Sequence, residues 1–511
     1  MQPRGGPRVK VWTMLRPFKT PRPWWFAIVA IVAAALPVAA RPAALTLHGA
    51  ADGRLEGESD RGQPQVSPDG AEATRVSAFR LATLLGLRGD LTWGHHVSGG
   101  ARLDTGDLAY TWGDTPDVGL TSNGVRVADE ARDTAFVREA WLALEVGETA
   151  SVRVEAGKDR LTLGDGLLLD AEPTGLGLAA RWDAASLGGG LTWPGVELLP
   201  PGPPVVYAQA EMDGGETGRL GLVWARYTGT GSDLHDEIAA AVDSAAFTRV
   251  LQRQRLGRAA ALACLDPPPS VTASSVLNWL GGTFDVSVPH GQLSGALLFD
   301  FGHFDTTAQL ENARCVAFLE GKKRPTAKTV RTDARGHAAA LRGRFHAGGP
   351  YYPGFFGLWL SGQAGKAAQG DYGGFLAISP APERPRLFFD AAAGSTARTF
   401  RTATSGVAGR GVIAVGPTLL YAPSERLSVD LTAAWLVADE ANPATGSGDL
   451  GEEADLRADW ELQPAFALFG EVDLLRQGAF YPRTPDPVPG TAEVRFAFGL
   501  SFDTDSESGD P

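Results

Sequence analysis

The stretch Glu453-Ala-Asp455-Leu-Arg457-Ala-Asp459-Trp460-Glu461-Leu462 alternates charged and apolar residues with period two. In a strand, successive side chains point to opposite faces. Ala454, Leu456, Ala458, Trp460 and Leu462 therefore share one face, and the carboxylates with one guanidinium share the other. The pattern recurs twice before the chain ends. Phe466, Leu468, Val472 and Leu474 alternate with Phe469, Glu471 and Asp473. Val494, Phe496, Phe498, Leu500 and Phe502 then alternate with Glu493, Arg495, Ala497, Gly499 and Ser501. A soluble sandwich would hide the apolar face, whereas a membrane barrel turns it to lipid and keeps the charged face around a wet lumen.

The front of the chain favours the barrel. Arg4, Arg8, Lys10, Arg16, Lys19 and Arg22 precede the apolar run Trp24 to Leu36, which is followed by Pro37-Val-Ala-Ala40. A basic segment, a short apolar core and small residues make an export leader over residues 1–40, with Met1 or Met14 as its start. The core is short for a spanning helix and carries Pro37 near its end. Beyond residue 40 no apolar run is long enough to cross a bilayer as a helix, although 44% of the 511 residues are hydrophobic. Only helices and closed barrels satisfy every backbone group in lipid, so an exported chain of this kind is either soluble or a barrel. A net charge of -13 argues against nucleic acid as a partner. The acidic tail 503–511 reads as disordered.

Period-two runs mark about eighteen strands: near 45–56, 76–88, 90–103, 135–146, 150–162, 174–183, 185–193, 204–212, 218–228, 273–288, 291–304, 335–347, 354–365, 407–421, 426–438, 451–463, 465–475 and 491–502. The stretch 366–406 has room for a further pair. Connections alternate between tight turns, such as Arg88-Gly-Asp90 and Gln463-Pro-Ala465, and long segments, such as 104–134, 229–272 and 476–490. Barrel hairpins with tight periplasmic turns and extended external loops give this parity. The expected fold is therefore all-β, a transmembrane antiparallel barrel of about eighteen strands over residues 41–502. Cys264 and Cys315 fall in loops on the same external rim, where a disulfide is conceivable. Asp233 to Ala263 shows near-helical apolar spacing with arginines in its second half, an external lid or a rim-packed amphipathic helix.

Taking the parity opposite to lipid, the lumen is expected to receive Arg80, Arg88, Arg153, Glu155, Asp159, Asp300, Arg342, Arg344, Asp430, Glu453, Asp455, Arg457, Asp459, Glu461, Glu471, Asp473, Glu493 and Arg495. Rings of charge set pore selectivity, and here arginines lead early while acids dominate the last strands. The same charges could instead pair with one another and keep the wall wetted. Signatures of catalysis are absent: there is no Gly-x-Ser-x-Gly elbow and no His-Glu-x-x-His helix. His95-His96 is the only histidine pair, and strand neighbours point apart. No enzyme, cofactor or metal is expected.

Phe136-Val-Arg138-Glu139-Ala140-Trp141-Leu142, followed by Val154-Glu-Ala-Gly157-Lys158-Asp159-Arg160-Leu-Thr-Leu-Gly164-Asp165-Gly166, resembles a hairpin of alginate-export-type outer-membrane porins. Leu450-Gly-Glu-Glu453-Ala-Asp455-Leu with Leu468-Phe-Gly470 is similar to that family's penultimate hairpin. The resemblance implies a monomeric outer-membrane channel passing an anionic exopolysaccharide through a basic constriction, with Arg138, Arg153, Lys158 and Arg160 as the basic lumen residues. Lys158 stands where the family usually has Arg, and the acidic final strands depart from a pore for a polyanion.

The expected function is passive passage of a hydrophilic solute or exopolysaccharide through the outer membrane. The alternatives are a general diffusion porin, or a barrel acting as adhesin or surface-structural protein. Implied partners are outer-membrane lipid, the barrel-assembly machinery and a polysaccharide or small hydrophilic solute.

Overall fold

The computed structural model describes residues 43–59, 65–66, 73–74, 78–93, 96–105, 110–112, 135–147, 150–171, 173–193, 204–230, 271–308, 328–363, 371–378, 385, 388, 410–443, 445–463, 466–481 and 492–503. The expected leader over residues 1–40, the acidic tail beyond 503, the 233–263 segment and both cysteines lie outside them.

Eighteen strands form the wall: β1 (Ala43–Ser59), β2 (Ala78–Trp93), β3 (Val97–Thr105), β4 (Ala135–Val146), β5 (Ser151–Lys158), β6 (Thr174–Trp182), β7 (Ala185–Trp193), β8 (Val205–Asp213) and β9 (Gly218–Thr230), then β10 (Val271–Val288), β11 (Gly291–Ala308), β12 (Lys328–Phe345), β13 (Tyr351–Leu360), β14 (Val412–Ser424), β15 (Leu427–Val437), β16 (Asp449–Gln463), β17 (Phe466–Gln477) and β18 (Ala492–Asp503). Each pairs antiparallel with its neighbours in chain order. The ring closes because β1 pairs β2 on one edge (Ala43↔Trp93) and β18 on the other (Ala50↔Asp503). A closed sheet leaves no unpaired edge, which is what allows strands to lie in lipid. The fold is a transmembrane antiparallel β-barrel.

Loop lengths sort by rim. Gaps at one rim are 94–96, 147–150, 183–184, 214–217, 289–290, 346–350, 425–426 and 464–465; at the other they are 60–77, 106–134, 159–173, 194–204, 231–270, 309–327, 361–411, 438–448 and 478–491. This is the parity expected of periplasmic turns and external loops. Three boundaries differ from the sequence reading. Arg88-Gly-Asp90 is not a turn: β2 runs on to Trp93, and Arg88 Nε pairs with Asp90 at 3.0 Å along the strand. Strand β5 ends at Lys158, because the Asp159 N–H turns to the Pro173 carbonyl (3.3 Å) and the chain leaves the wall. In the described part of 366–406 there is no extra wall pair; Asp371–Tyr372 lies parallel to β12 at Asp333 and Ala334.

Faces sort as the alternation requires. Leu456, Trp460, Val472, Leu474, Phe496, Phe498 and Leu500 are exposed, as are Val152, Val154, Leu176, Leu178, Phe299, Phe301, Trp359 and Trp435 around the wall. Between them Asp455, Glu471, Asp473, Arg495 and Ala497 are buried. A belt of exposed large apolar groups around a buried charged interior is the inverse of a soluble sandwich, and it faces hydrocarbon. Leu456→Arg on this belt is expected to destabilise the barrel by about 2–4 kcal/mol, the cost of a basic side chain near the bilayer midplane. Denaturant titration of folding into lipid vesicles checks it.

Candidate functional site: a lumen narrowed by two inserted loops

The interior has two unlike halves. Along β8 to β14 most of the buried inward side chains are apolar, among them Val205, Val223, Ala225, Leu277, Trp279, Leu298, Ala338, Leu358 and Ala414, with Asp300 a buried acid in their midst. Such a wall is unstable against water, and two external loops fold inward to cover it.

The first loop follows β5. Leu161–Leu163 pairs with Leu169–Ala171 as a small hairpin, and Leu163, Leu167, Leu168 and Leu169 are buried. Its tip is Gly164-Asp165-Gly166, three residues with positive φ of 63°, 55° and 79°. Gly164 also lies against the wall, where a Cβ would meet Leu298 Cδ1 at 2.8 Å, so glycine serves both the turn and the contact. The Asp165 carboxylate ion-pairs with the Arg342 guanidinium on β12. At the loop's base Arg160 pairs with Asp170 (3.1 Å). Burial pushes the Asp159 carboxyl up to about 6 despite a 2.8 Å hydrogen bond from the Arg160 N–H, and the neighbouring Glu155 and Glu139 charges push the same way.

The second loop follows β13, and Phe375, Leu376, Ala377, Ile378 and Phe388 are buried. Trp279 Nε1–H donates to the Leu376 carbonyl (2.6 Å), and the Leu376 N–H donates to Asp300 Oδ1 (3.4 Å). The Phe388 N–H donates to Glu453 Oε2 (2.8 Å). Ser361 Oγ–H holds the Gly373 carbonyl (2.8 Å). The two loops join where the Ile378 N–H donates to the Leu168 carbonyl (3.0 Å). Burial beside the Asp300 carboxylate drives the Tyr372 phenol well above its usual range.

The other half of the lumen is charged. Across β15 to β18 one row reads Thr432, Asp455, Asp473, Arg495, and the next reads Asp430, Arg457, Glu471, Ala497. Arg495 Nη2 reaches Asp473 at 2.6 Å and Glu471 at 3.0 Å, and all three are buried. Arg457 pairs with Asp459 at 2.7 Å and Glu471 at 3.5 Å and lies over the Phe469 ring. Arg153 pairs with Glu155 at 2.7 Å and lies over Trp141.

The expected lining residues therefore divide. Arg88, Arg153, Glu155, Arg342, Asp430, Arg457, Asp459 and Glu461 share the interior face and are partly exposed, with Arg344 exposed near the short-turn rim. Asp300, Glu453, Asp455, Glu471, Asp473 and Arg495 point inward but are covered: they anchor the second loop or pair with each other rather than meeting water. Lys158 is not water-lined either, because it is buried with Nζ–H on the Val137 carbonyl (3.1 Å). Asp159 and Arg160 belong to the inserted loop, not to a strand. The side chains of Arg80, Arg138 and Glu493 lie outside the described residues.

Sequence reasoning passed over Arg102, Glu139, Trp141 and Trp279. It allowed for pairing among the lumen charges but did not place the pairs along single strands. Arg88/Asp90, Arg153/Glu155 and Arg457/Asp459 each stand two apart, which places both charges on one face of one strand. His96 sits in the β2–β3 turn, its Nδ1 3.0 Å from the Glu145 carbonyl. Among the described residues no three His, Cys, Asp or Glu converge as metal ligands.

No family model matches the sequence, and no curated protein matches it. The alginate-export resemblance gains no support there. Solved structures similar in fold include OpdQ of Pseudomonas aeruginosa, with 9% identity over 90% of this chain and 98% of that one and a TM-score of 0.46. The outer-membrane channel DcaP of Acinetobacter baumannii shows 12% identity over 90% and 97%, with a TM-score of 0.41. OccK9 (OpdG) of P. aeruginosa shows 13% identity over 90% and 98%, with a TM-score of 0.44. At such identities the functional reading rests on the geometry of this chain alone.

Proposed function

We propose that this chain is an outer-membrane channel for small hydrophilic solutes, favouring cations, with an aperture set by its two inserted loops. One observation carries the reading: Leu168 and Phe375 to Ile378 are buried inside the barrel and hydrogen-bonded to its wall and to each other. Loops seated in this way narrow the path through the barrel, which favours small solutes over the polymer reading. An exported leader, barrel-assembly machinery and surrounding outer-membrane lipid belong to the same proposal, with a monomer as the working unit.

The cation preference follows from the wall. On β15 to β18 the inward carboxylates that are partly exposed, Asp430, Asp459 and Glu461, outnumber the one partly exposed guanidinium, that of Arg457. On the other described strands Arg88 and Arg153 are each neutralised by an acid two residues on and Arg342 by Asp165, while Arg344 lies exposed near the short-turn rim. Fixed charge of one sign in a low-dielectric wall concentrates counter-ions of the other.

Planar-bilayer recording tests both parts. The expected result is a stable single-channel conductance whose reversal potential in a salt gradient reports cations crossing faster than anions. Asp459→Asn combined with Asp430→Asn is expected to move that potential toward zero. Absence of conductance from correctly folded barrels would sink the channel reading and favour a structural role. Anion selectivity would sink the charge assignment, and dose-dependent block by uronic-acid oligomers would restore the polymer reading.

A further inference from the structure

On the outer face of β9 to β12 the apolar belt ends at a row that carries two arginines. In strand register the row reads Arg226, Asn278, Phe301, Arg335. These side chains point away from the lumen, because their strand neighbours Ala225, Tyr227, Leu277, Trp279, Asp300 and Ala334 are the buried, inward ones. Arg226, Phe301 and Arg335 are exposed, and Asn278 is half-buried. Beneath the row the same face is apolar, with Leu222, Leu280, Leu297, Phe299 and Leu341 exposed.

Height fixes where the row lies. Asn278, Phe301 and Arg335 each stand ten residues from the short-turn end of their strand, at Val288, Gly291 and Phe345. A tilted barrel strand crosses the hydrocarbon in about 9–11 residues. The row is therefore level with the lipid headgroups on the long-loop side. Among the described residues no carboxylate pairs with Arg226 or Arg335. The acids on this face stand higher: Asp333 is in the next row, with Arg331 at 3.6 Å, and Asp371 is in register beside it. By contrast Arg476, an outward arginine on β17 toward the same rim, is neutralised by Glu452 at 2.9 Å.

We propose that the outer face of β9 to β12 binds the phosphate groups of an outer-leaflet lipid, with Arg226 and Arg335 as its two contacts. The site rests on the outer-membrane placement of the barrel and not on its conducting. A guanidinium offers two parallel donors to a phosphate, and it holds its charge at the edge of the apolar layer. Three strand spacings, about 14 Å, separate the two arginine positions, so each takes one phosphate of a headgroup that carries two. Phe301 lies between them, and the apolar rows below receive the acyl chains. Those rows make a lipid, rather than a free anion, the occupant.

The test is titration of the folded barrel in detergent with diphosphoryl lipid A, with the same lipid stripped of its phosphates, and with inorganic phosphate. Native mass spectrometry counts the bound lipid. A guanidinium at an anionic lipid surface is worth about fivefold in affinity, so Arg226→Gln and Arg335→Gln are each expected to weaken diphosphoryl binding by that factor, and the double variant by about twenty-five-fold. The stripped lipid is expected to bind the native chain as weakly as the diphosphoryl lipid binds the double variant. Arg476→Gln is expected to bind like the native chain. Equal binding of the two lipids would overturn the site, as would native affinity in the double variant or an equal loss in Arg476→Gln. Displacement of the lipid by millimolar inorganic phosphate would overturn it in favour of a free anion. Single-channel conductance is expected to be unchanged in the double variant, since both side chains face outward. A native barrel that binds the lipid and does not conduct would remove the channel reading and leave the lipid site standing. Heat-modifiable migration on gels establishes that each variant is a folded barrel.

Discussion

Arg495→Ala is expected to destabilise the barrel by about 3–5 kcal/mol, the usual cost of removing one partner from a buried ion pair. Arg495 is 1% exposed and donates from Nε and Nη2 to Asp473, and from Nη2 to Glu471. Its removal leaves both carboxylates under cover, with Asp455 in register against Asp473 and adding to the repulsion. Exposed pairs of the same chemistry, such as Arg88–Asp90, would cost no more than about 1 kcal/mol. The difference is burial, so the contrast between the two sites measures how dry this part of the lumen is. Denaturant titration of folding into vesicles reads both. Pairing Arg495→Met with Asp473→Asn should recover much of the loss, because the second change removes the charge that the first strands. A loss for Arg495→Ala no larger than for Arg88→Ala would mean that water reaches the β16–β18 wall.

The second large effect is expected at Gly336. This residue faces inward on β12, and a Cβ there would meet Asp300 Oδ1, with Phe375 Cα at 2.5 Å and the Gly374 carbonyl at 2.6 Å. The second loop's backbone runs directly across the wall at that point, leaving no room for a side chain. Gly336→Val leaves the strand's hydrogen bonds and the lipid face untouched, and valine suits a strand. The barrel should therefore assemble, but with Phe375 to Ile378 displaced from the lumen. Single-channel conductance should rise several-fold, with a loss of discrimination among solutes by size. Trp279→Phe, which removes the donor to the Leu376 carbonyl together with part of the buried ring, should produce a smaller change of the same sign. An unchanged conductance in Gly336→Val would show that the second loop does not set the aperture.

The wall was legible because a membrane barrel writes itself in period two. Leu456 beside Arg457, or Phe496 beside Arg495, states its own orientation once the chain is known to enter lipid, and tight turns alternating with long gaps state the rims. Weak segments such as Gly175 to Trp182 still became strands because closure of the ring pairs each one on both sides. The misreadings came from local signals that tertiary context overrides. Arg88-Gly-Asp90 has the composition of a turn, yet its two charges pair along one face of β2. Asp159 continues the alternation of β5 in sequence, while the base of the inserted loop draws it out of the wall; Lys158 stays in β5 but is buried on the Val137 carbonyl.

The lumen was much less legible than the wall. Parity places Asp300, Glu453, Asp459 and Arg495 on one side of the sheet, but it cannot distinguish a carboxylate in water from one capping the backbone of a loop. Leu-Thr-Leu-Gly164-Asp165-Gly166-Leu-Leu-Leu169 read as the end of a strand with a loop beyond it. Only the closeness of Gly164 to Leu298, the pairing of Asp165 with Arg342 and the burial of Leu163 and of Leu167 to Leu169 show it folded back into the barrel. Alternating hydrophobicity is local, because each side chain answers to its own face, and so residue order alone determined the barrel, its rims and its lipid-facing belt. Which inward residues line water depends on loops meeting wall residues far away in sequence, from 65 positions for Phe388 and Glu453 to 177 for Asp165 and Arg342. That part was decided by tertiary packing, which buries the apolar β8–β14 face beneath two loops and leaves the charged β15–β18 face opposite them.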